Sequence, residues 1–321
     1  MNTTPRSSSP PLRSPEQLRG DPGKSEPVPT PQLAEAEIRA LAERALGVPV
    51  SATAPLAGSV GNQNLRLDTE RGRFSIKLAA ESELAGERWG LERAAEAGVP
   101  VPRVAAAGEL GGDRGFMITG WVPGGPATVA DTEALVEAGR AIRRYHEVGG
   151  PGYGLADVEA GAARGRFGSW AERLADIVAK TEPLVRHGVI TAELADGFRA
   201  AVDDHADAIA YDGEGVLLHC DLKPAHLFVA DGRLSSIIDW GDTSYGDPRY
   251  DLARLSVAED AIFRPALEGY GLELEAELSR TLACYRAIQR VDALHYELMA
   301  GGDWFDVYRQ TIIDWLAPQR T

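Results

Sequence analysis

The sequence predicts an α+β protein of two lobes, a small, mostly β N-terminal lobe and a larger, mostly helical C-terminal one. Three observations carry this. Residues 50–122 contain five short apolar or alternating runs, bounded by Gly, Pro and acidic turns, with one helical segment among them. From residue 131 onward apolar residues recur at helical spacing in one segment after another, and a single stretch, 216–251, reads as strands. Between the two patterns Pro123-Gly124-Gly125-Pro126 breaks the chain and offers a hinge.

Composition narrows the function. At 321 residues the chain can bury two substantial cores, and 44% apolar with 25% charged residues is ordinary for a globular protein. A net charge of −15 argues against nucleic acid as the main partner and favours cationic ones, although acidity can also serve solubility alone. Cys220 and Cys284 provide neither a disulfide framework nor zinc spacing, so a reducing cytoplasm is expected. No apolar run approaches membrane-spanning length, and no charged-then-apolar leader is present, so no membrane partner is expected.

Residues 1–31 hold eight of the twenty prolines and little that could be buried, the composition of a disordered tail. An amphipathic helix is predicted over 33–46, stopped by Gly47. The N-terminal lobe, 32–124, then continues with a strand near 50–56, the polar loop Gly58-Ser59-Val60-Gly61-Asn62-Gln63-Asn64, and strands around 65–67 and 74–78 joined by Glu70-Arg71-Gly72. Phe74, Ile76 and Leu78 share one face, which leaves Lys77 on the other. A helix over 82–97, containing Glu87, ends at Gly98 because Pro100 and Pro102 prevent its continuation. Strands near 103–107 and 116–122 complete the lobe.

In the C-terminal lobe, 125–321, helices are predicted over 131–147, from the capping-box signature Ser169-Trp170-Ala171-Glu172 to about 186, from Thr191 to about 209, and over 252–258, 272–298 and 303–316. The exception is Val216–Asp251. There Asp231-Gly232, between Leu227-Phe228-Val229 and Leu234–Ile238, signals a tight hairpin. His226 enters its first strand and Asp239 leaves its second, so both fall at its open end, with Asp221 on the loop that feeds it. Two carboxylates and an imidazole there suit a hydrolytic metal or a phosphate-handling centre equally.

The residues then bring a family into view: the chain resembles the bacterial aminoglycoside phosphotransferases, small-molecule kinases with a protein-kinase-like bilobal fold. His219-Cys220-Asp221-Leu222-Lys223-Pro224-Ala225-His226 is similar to the catalytic loop of that family. Ile238-Asp239-Trp240-Gly241-Asp242 is similar to its metal-binding segment, and Gly246-Asp247-Pro248 with Asp251-Leu252-Ala253 to the motif that follows. The resemblance spans about residues 45–315.

It implies ATP, with GTP an alternative, and Mg²⁺ as cofactors, and a hydroxyl of a small molecule as acceptor, an aminoglycoside or related antibiotic, with a role in antibiotic resistance. Asp221 would accept or orient the hydroxyl proton, and Lys223 would neutralise the transferring phosphate. Lys77, fixed by Glu87, would hold the α- and β-phosphates; Gly58, Ser59 and Asn62 would cover them; Gly120 and Val122 would receive adenine through the hinge backbone. Asp239 and His226 would hold the metal. His219 and Asp251 would support the loop. His226 stands where the family has asparagine, and imidazole is a poorer partner for Mg²⁺ than an amide oxygen. Alternatives are a kinase of a macrolide or an ordinary metabolite, a nucleotide-binding pseudokinase, and a hydrolase with a metal on His219, Asp221, His226 and Asp239. Acidic and aromatic residues, Asp242, Glu259, Asp260, Glu297, Asp303, Trp304 and Asp306, would suit a cationic acceptor.

Overall fold

The computed structural model describes residues 32–56 and 62–317; the expected tail, Gly58 and Ser59 lie outside the described residues. Two compact units are present, one comprising 32–170 and 211–276, the other 171–210 and 277–317.

The first unit opens with helix α1 (Glu35–Leu46), which ends as expected at left-handed Gly47. Strands β1 (Val50–Pro55), β2 (Gln63–Thr69), β3 (Gly72–Ala80), β4 (Val104–Glu109) and β5 (Arg114–Gly120) form an antiparallel sheet in the order β1-β2-β3-β5-β4. Alternation places Leu65, Leu67, Ile76, Leu78 and Ile118 in one buried cluster with Ile38 and Ala42 of α1. Lys77 consequently emerges on the opposite face. Helix α2 (Glu81–Glu96) follows β3 directly, and left-handed Gly98 lies just beyond its end.

Beyond β5, the short strand β6 (Gly125–Pro126) joins the hairpin of β10 (Leu227–Ala230) and β11 (Arg233–Ile237). Asp231 and Gly232 at the hairpin tip have φ of 51° and 74°, the pair of positive values that a two-residue type I′ turn requires. Gly124, with φ 88°, faces the carbonyl of Val229 so closely that a side chain there would displace it. Helix α3 (Thr132–Tyr145) follows.

One expectation fails here. The region after the hinge is not helical apart from that hairpin: β7 (Tyr153–Glu159) and β8 (Ala162–Phe167) form a second hairpin in a sheet of order β8-β7-β12-β9, with β9 (Val216–Leu218) and β12 (Ser244–Gly246). Its sequence, rich in Ala and Gly, has weak strand propensity, and pairing with β12 overrides it. Helix α4 (Trp170–Ala179) also stops early; a separate α5 (Thr181–Arg186) follows where one helix was expected.

In the second unit, α6 (Ala192–Asp204) starts as expected at Thr191, whose Oγ1 accepts the Leu194 N–H at 3.1 Å. It shares the unit with α9 (Ala276–Ala300) and α10 (Phe305–Leu316). Arg173 and Lys180 converge on Asp292 of α9 at 2.9 and 2.5 Å. Back in the first unit, α7 (Arg249–Leu255) and α8 (Asp260–Tyr270) follow β12; α8, which contains Pro265, had no counterpart in the sequence reading.

Candidate active site

The β3–α2 connection brings the predicted lysine and glutamate together. Lys77 Nζ lies 2.8 Å from Glu87 Oε2 and also 2.8 Å from Glu83 Oε1. Glu83 sits one helical turn before Glu87, and that i,i+4 repeat was the signal that could have found it. Burial works against the ammonium, but the two carboxylates outweigh it and hold Lys77 protonated well above the ordinary lysine range. Asn62 donates from Nδ2 to Glu83 Oε1 at 2.9 Å, which ties the loop end to the same helix.

At the hinge, the Gly120 N–H is spent inside the sheet on the Arg103 carbonyl, 2.9 Å away, and the Trp121 N–H on the Arg73 carbonyl at 3.0 Å. Among the described residues no acceptor meets the Val122 N–H. Of the two hinge residues singled out, Val122 therefore has the uncommitted amide, and Gly120 can offer no N–H to a ligand.

The catalytic-loop candidate leaves β9 through His219, Cys220 and Asp221. Cys220 adopts φ 63°, in the left-handed region that a side chain disfavours. Asp251, fully buried on α7, over-determines that turn. Its carboxylate accepts the His219 N–H at 2.8 Å, the Cys220 N–H at 2.7 Å and the Tyr145 hydroxyl at 2.8 Å, with His146 Nε2 at 3.3 Å. Burial alone would raise this carboxyl; His146 and the backbone donors hold it below the usual carboxylate range. His219 Nε2 donates to the Ile238 carbonyl at 2.8 Å, and its Nδ1 accepts the Asp221 N–H at 3.3 Å. With both ring nitrogens committed, His219 holds loop and hairpin together and cannot ligate a metal.

Asp221 is gripped on both oxygens. Oδ1 accepts from Arg254 Nε at 3.1 Å and Nη2 at 2.6 Å, and Oδ2 from Lys223 Nζ at 2.7 Å. Burial pushes this carboxyl up, but Arg254 and the Lys223 hydrogen bond win, and it is held below the ordinary range. Arg254 lies on α7, and no short-range sequence signal connected it to Asp221.

The hairpin does what its register predicted: the Ile238 N–H bonds the His226 carbonyl at 3.0 Å, and Asp239 follows at the open end with φ 66°. His226 Nδ1 lies 2.9 Å from the Asp221 backbone carbonyl, which can only accept, so Nδ1 carries the proton. Nε2 then turns a lone pair toward Asp239 Oδ2, 3.3 Å away. Burial lowers the imidazole to about 4, so near neutral pH no proton relieves that opposition. A cation does. Ligand atoms of Asp221, His226 and Asp239 all lie within 4.8 Å of one another, and two carboxylates with one imidazole fit a divalent ion such as Mg²⁺ or Mn²⁺.

Gly241 joins the two halves of the site. A Cβ placed on it would lie 3.5 Å from Lys77 Nζ, 3.9 Å from Asp239 Oδ1 and 3.9 Å from Glu87 Oε2. Lysine, helix glutamate and hairpin aspartate thus surround one point left open by a missing side chain.

Residues 52–288 match the model of the phosphotransferase enzyme family. Solved structures share the fold at low identity. A thermostable mutant of the aminoglycoside phosphotransferase APH(4)-Ia, in ternary complex with ADP and hygromycin B, matches at TM-score 0.68 and 16% identity, over 88% of this chain and 100% of that one. A protein assigned as a fructosamine-3-kinase from Thermobifida fusca matches at 0.66 and 17%, over 88% and 100%. The macrolide 2′-phosphotransferase MphH from Brachybacterium faecium matches at 0.59 and 22%, over 89% and 98%.

Proposed function

From the premise that the chain belongs to the phosphotransferase enzyme family, and so is a kinase of small-molecule hydroxyls with a protein-kinase-like fold, we propose that its donor is Mg²⁺-ATP and its acceptor an aminoglycoside or related cationic antibiotic. The observation that carries the donor is the meeting of Lys77, Glu87 and Asp239 around Gly241. A metallohydrolase has no use for a strand lysine held by two carboxylates, whereas a nucleotide does.

In this reading Lys77 binds the α- and β-phosphates and Glu87 with Glu83 fixes its direction. Val122 offers its amide to adenine. Asp239 and His226 hold the cation, which when bound neutralises charge developing on the phosphate oxygens. Asp221 orients the acceptor hydroxyl and takes its proton, while Lys223 turns from Oδ2 to the transferred phosphoryl group. Little covalent chemistry falls to the protein, so positioning and charge dominate.

The net charge of −15 supports a cationic acceptor. The likeness to a fructosamine-3-kinase and to a macrolide phosphotransferase supports a second reading, a kinase of an amine-bearing metabolite or a macrolide. A cytoplasmic setting accords with two free cysteines, and no described helix is long and apolar enough to cross a membrane. The test is ATP consumption with Mg²⁺ against a panel of aminoglycosides, macrolides and glycated amines, run beside Asp221→Asn. Turnover with aminoglycosides that the variant lacks supports the first reading; turnover confined to another class selects the second.

A further inference from the structure

Helix α2 carries Glu87, and its placement decides whether Lys77 points at phosphates. One turn beyond Glu87 lies Gly90, on the same helical face. A Cβ on Gly90 would collide with Thr243 Oγ1 and would stand 3.1 Å from both Thr243 Cβ and Cγ2. The helix backbone therefore rests directly on Thr243, at a distance that only glycine permits.

Thr243 is itself held in place. It is fully buried, its hydroxyl donates to the Trp240 carbonyl at 2.6 Å, and its carbonyl accepts the Ala156 N–H from β7 at 3.0 Å. Trp240, also fully buried, donates from its indole to the Ile237 carbonyl at 3.0 Å. The surface that receives α2 is thus the turn that begins at Asp239. A second contact, from the neighbouring residue, reaches the same segment: Trp89 Nε1 donates to the Tyr245 hydroxyl at 2.8 Å, and Arg93 covers the Trp89 ring at 4.7 Å.

We propose that Gly90 and Trp89 are positioning residues: they seat α2 on Thr243 and Tyr245, so that Glu87 and Asp239 are set in register and the Lys77–Glu87 pair is assembled before any nucleotide arrives. This rests on the nucleotide-binding reading above and adds how the two halves of that site are held in register. The seat acts through the two carboxylates of α2, Glu87 and Glu83, each 2.8 Å from Lys77 Nζ, and not through any contact of Gly90 or Trp89 with Lys77.

Helix propensity by itself makes Gly90→Ala stabilising. The seat predicts the opposite sign for binding, since the new methyl must push α2 off Thr243. The test is equilibrium binding of Mg²⁺ with the β,γ-imido analogue of ATP to the full chain, with thermal unfolding as a control. Gly90→Ala is expected to weaken binding by about tenfold, and Gly90→Ala with Thr243→Ala to recover most of that loss. In a Glu83→Gln, Glu87→Gln background Gly90→Ala should weaken binding no further, a non-additivity that general destabilisation does not produce. Trp89→Phe, which keeps an aromatic side chain but loses the indole N–H and one of its two rings, should weaken binding by about threefold, and it keeps the test open should Gly90→Ala fail to fold. Wild-type affinity in both Gly90→Ala and Trp89→Phe overturns the proposal, as does an equal loss with and without the Glu83 and Glu87 carboxylates. Absence of nucleotide binding by the wild type would overturn the phosphotransfer reading and this proposal with it.

Discussion

Arg254 holds Asp221 through two nitrogens on a single oxygen, Nε at 3.1 Å and Nη2 at 2.6 Å from Oδ1, which leaves Oδ2 to Lys223 alone. The two cations differ in freedom. The guanidinium is anchored on α7 beside buried Asp251, while the lysine side chain is the more exposed of the two. Oδ2 is therefore the oxygen that an acceptor hydroxyl can take over once Lys223 turns away.

Replacing Arg254 should separate transfer from nucleotide binding. Charged hydrogen bonds of this kind contribute about 1.5–3 kcal/mol, so Arg254→Leu should lower kcat by roughly ten- to hundredfold. Arg254→Lys keeps the charge but not the two-nitrogen grip and should fall between. KM for ATP should stay within about twofold, because Arg254 touches no proposed phosphate ligand. Steady-state kinetics with any acceptor identified by the panel decides it; a rise in KM at constant kcat would place Arg254 in binding instead.

His226 and Asp221 should respond oppositely to the same replacement. Asp221→Asn removes the proton acceptor and should abolish transfer. His226→Asn restores an amide oxygen opposite Asp239 and should keep or raise Mg²⁺-dependent turnover, with a narrower advantage in Mn²⁺ because imidazole is the softer ligand. Titrating each metal against initial rate for the wild type and both variants reads this out. A fully active Asp221→Asn would remove that residue from the chemistry.

Lys77 has two carboxylates rather than one, and this sets a ranking. Lys77→Ala removes the phosphate contact itself and should cost the most nucleotide affinity. Glu87→Gln leaves Glu83, also 2.8 Å from Nζ, to direct the ammonium, so its loss should be several-fold smaller. The Glu83→Gln, Glu87→Gln double variant should approach Lys77→Ala. Affinity for the imido analogue, measured across the four proteins, tests the order.

What the sequence revealed and what it hid divide along contact range. The Asp231-Gly232 turn, the convergence of His226 and Asp239, and the capping of α6 by Thr191 depend on residues close in the chain, and the structure places all three as expected. Lys77 and Glu87 lie ten residues apart, and the strand–helix connection between them suffices to join them. Arg254 and Asp221 are 33 residues apart and meet only because α7 returns to the His219–Asp221 loop, which no periodicity encodes. The β7–β8 hairpin was hidden for another reason: its strand character comes from pairing with β12, not from its Ala- and Gly-rich sequence. Gly120 marks a third limit. A sequence places a backbone amide at a hinge but does not say whether a neighbouring strand has already used it.

Asp242 provides a pH signature of the proposed metal site. Its carboxylate meets solvent, yet protein crowds it on its other sides, and desolvation together with the charges of Asp221 and Asp239 pushes it up to about 6. A folded-state value above the unfolded one means that the native protein binds more protons between about pH 4 and 6, so this carboxyl favours the fold at the acid end and that contribution is lost as pH rises through 6. Asp242→Asn should therefore gain thermal stability relative to wild type at pH 8 and lose that advantage at pH 4. Cation binding beside Asp221 and Asp239 offsets the part of that rise which comes from their charges, leaving the larger part due to burial. Binding of Mg²⁺ with the imido analogue at pH 6 should then release up to about half a proton from this group, and close to none at pH 8. Calorimetry in buffers of different ionisation enthalpy counts those protons. Release that persists in Asp242→Asn would assign the proton to another group, and the absence of any release at pH 6 would mean that the cation sits away from this carboxylate cluster.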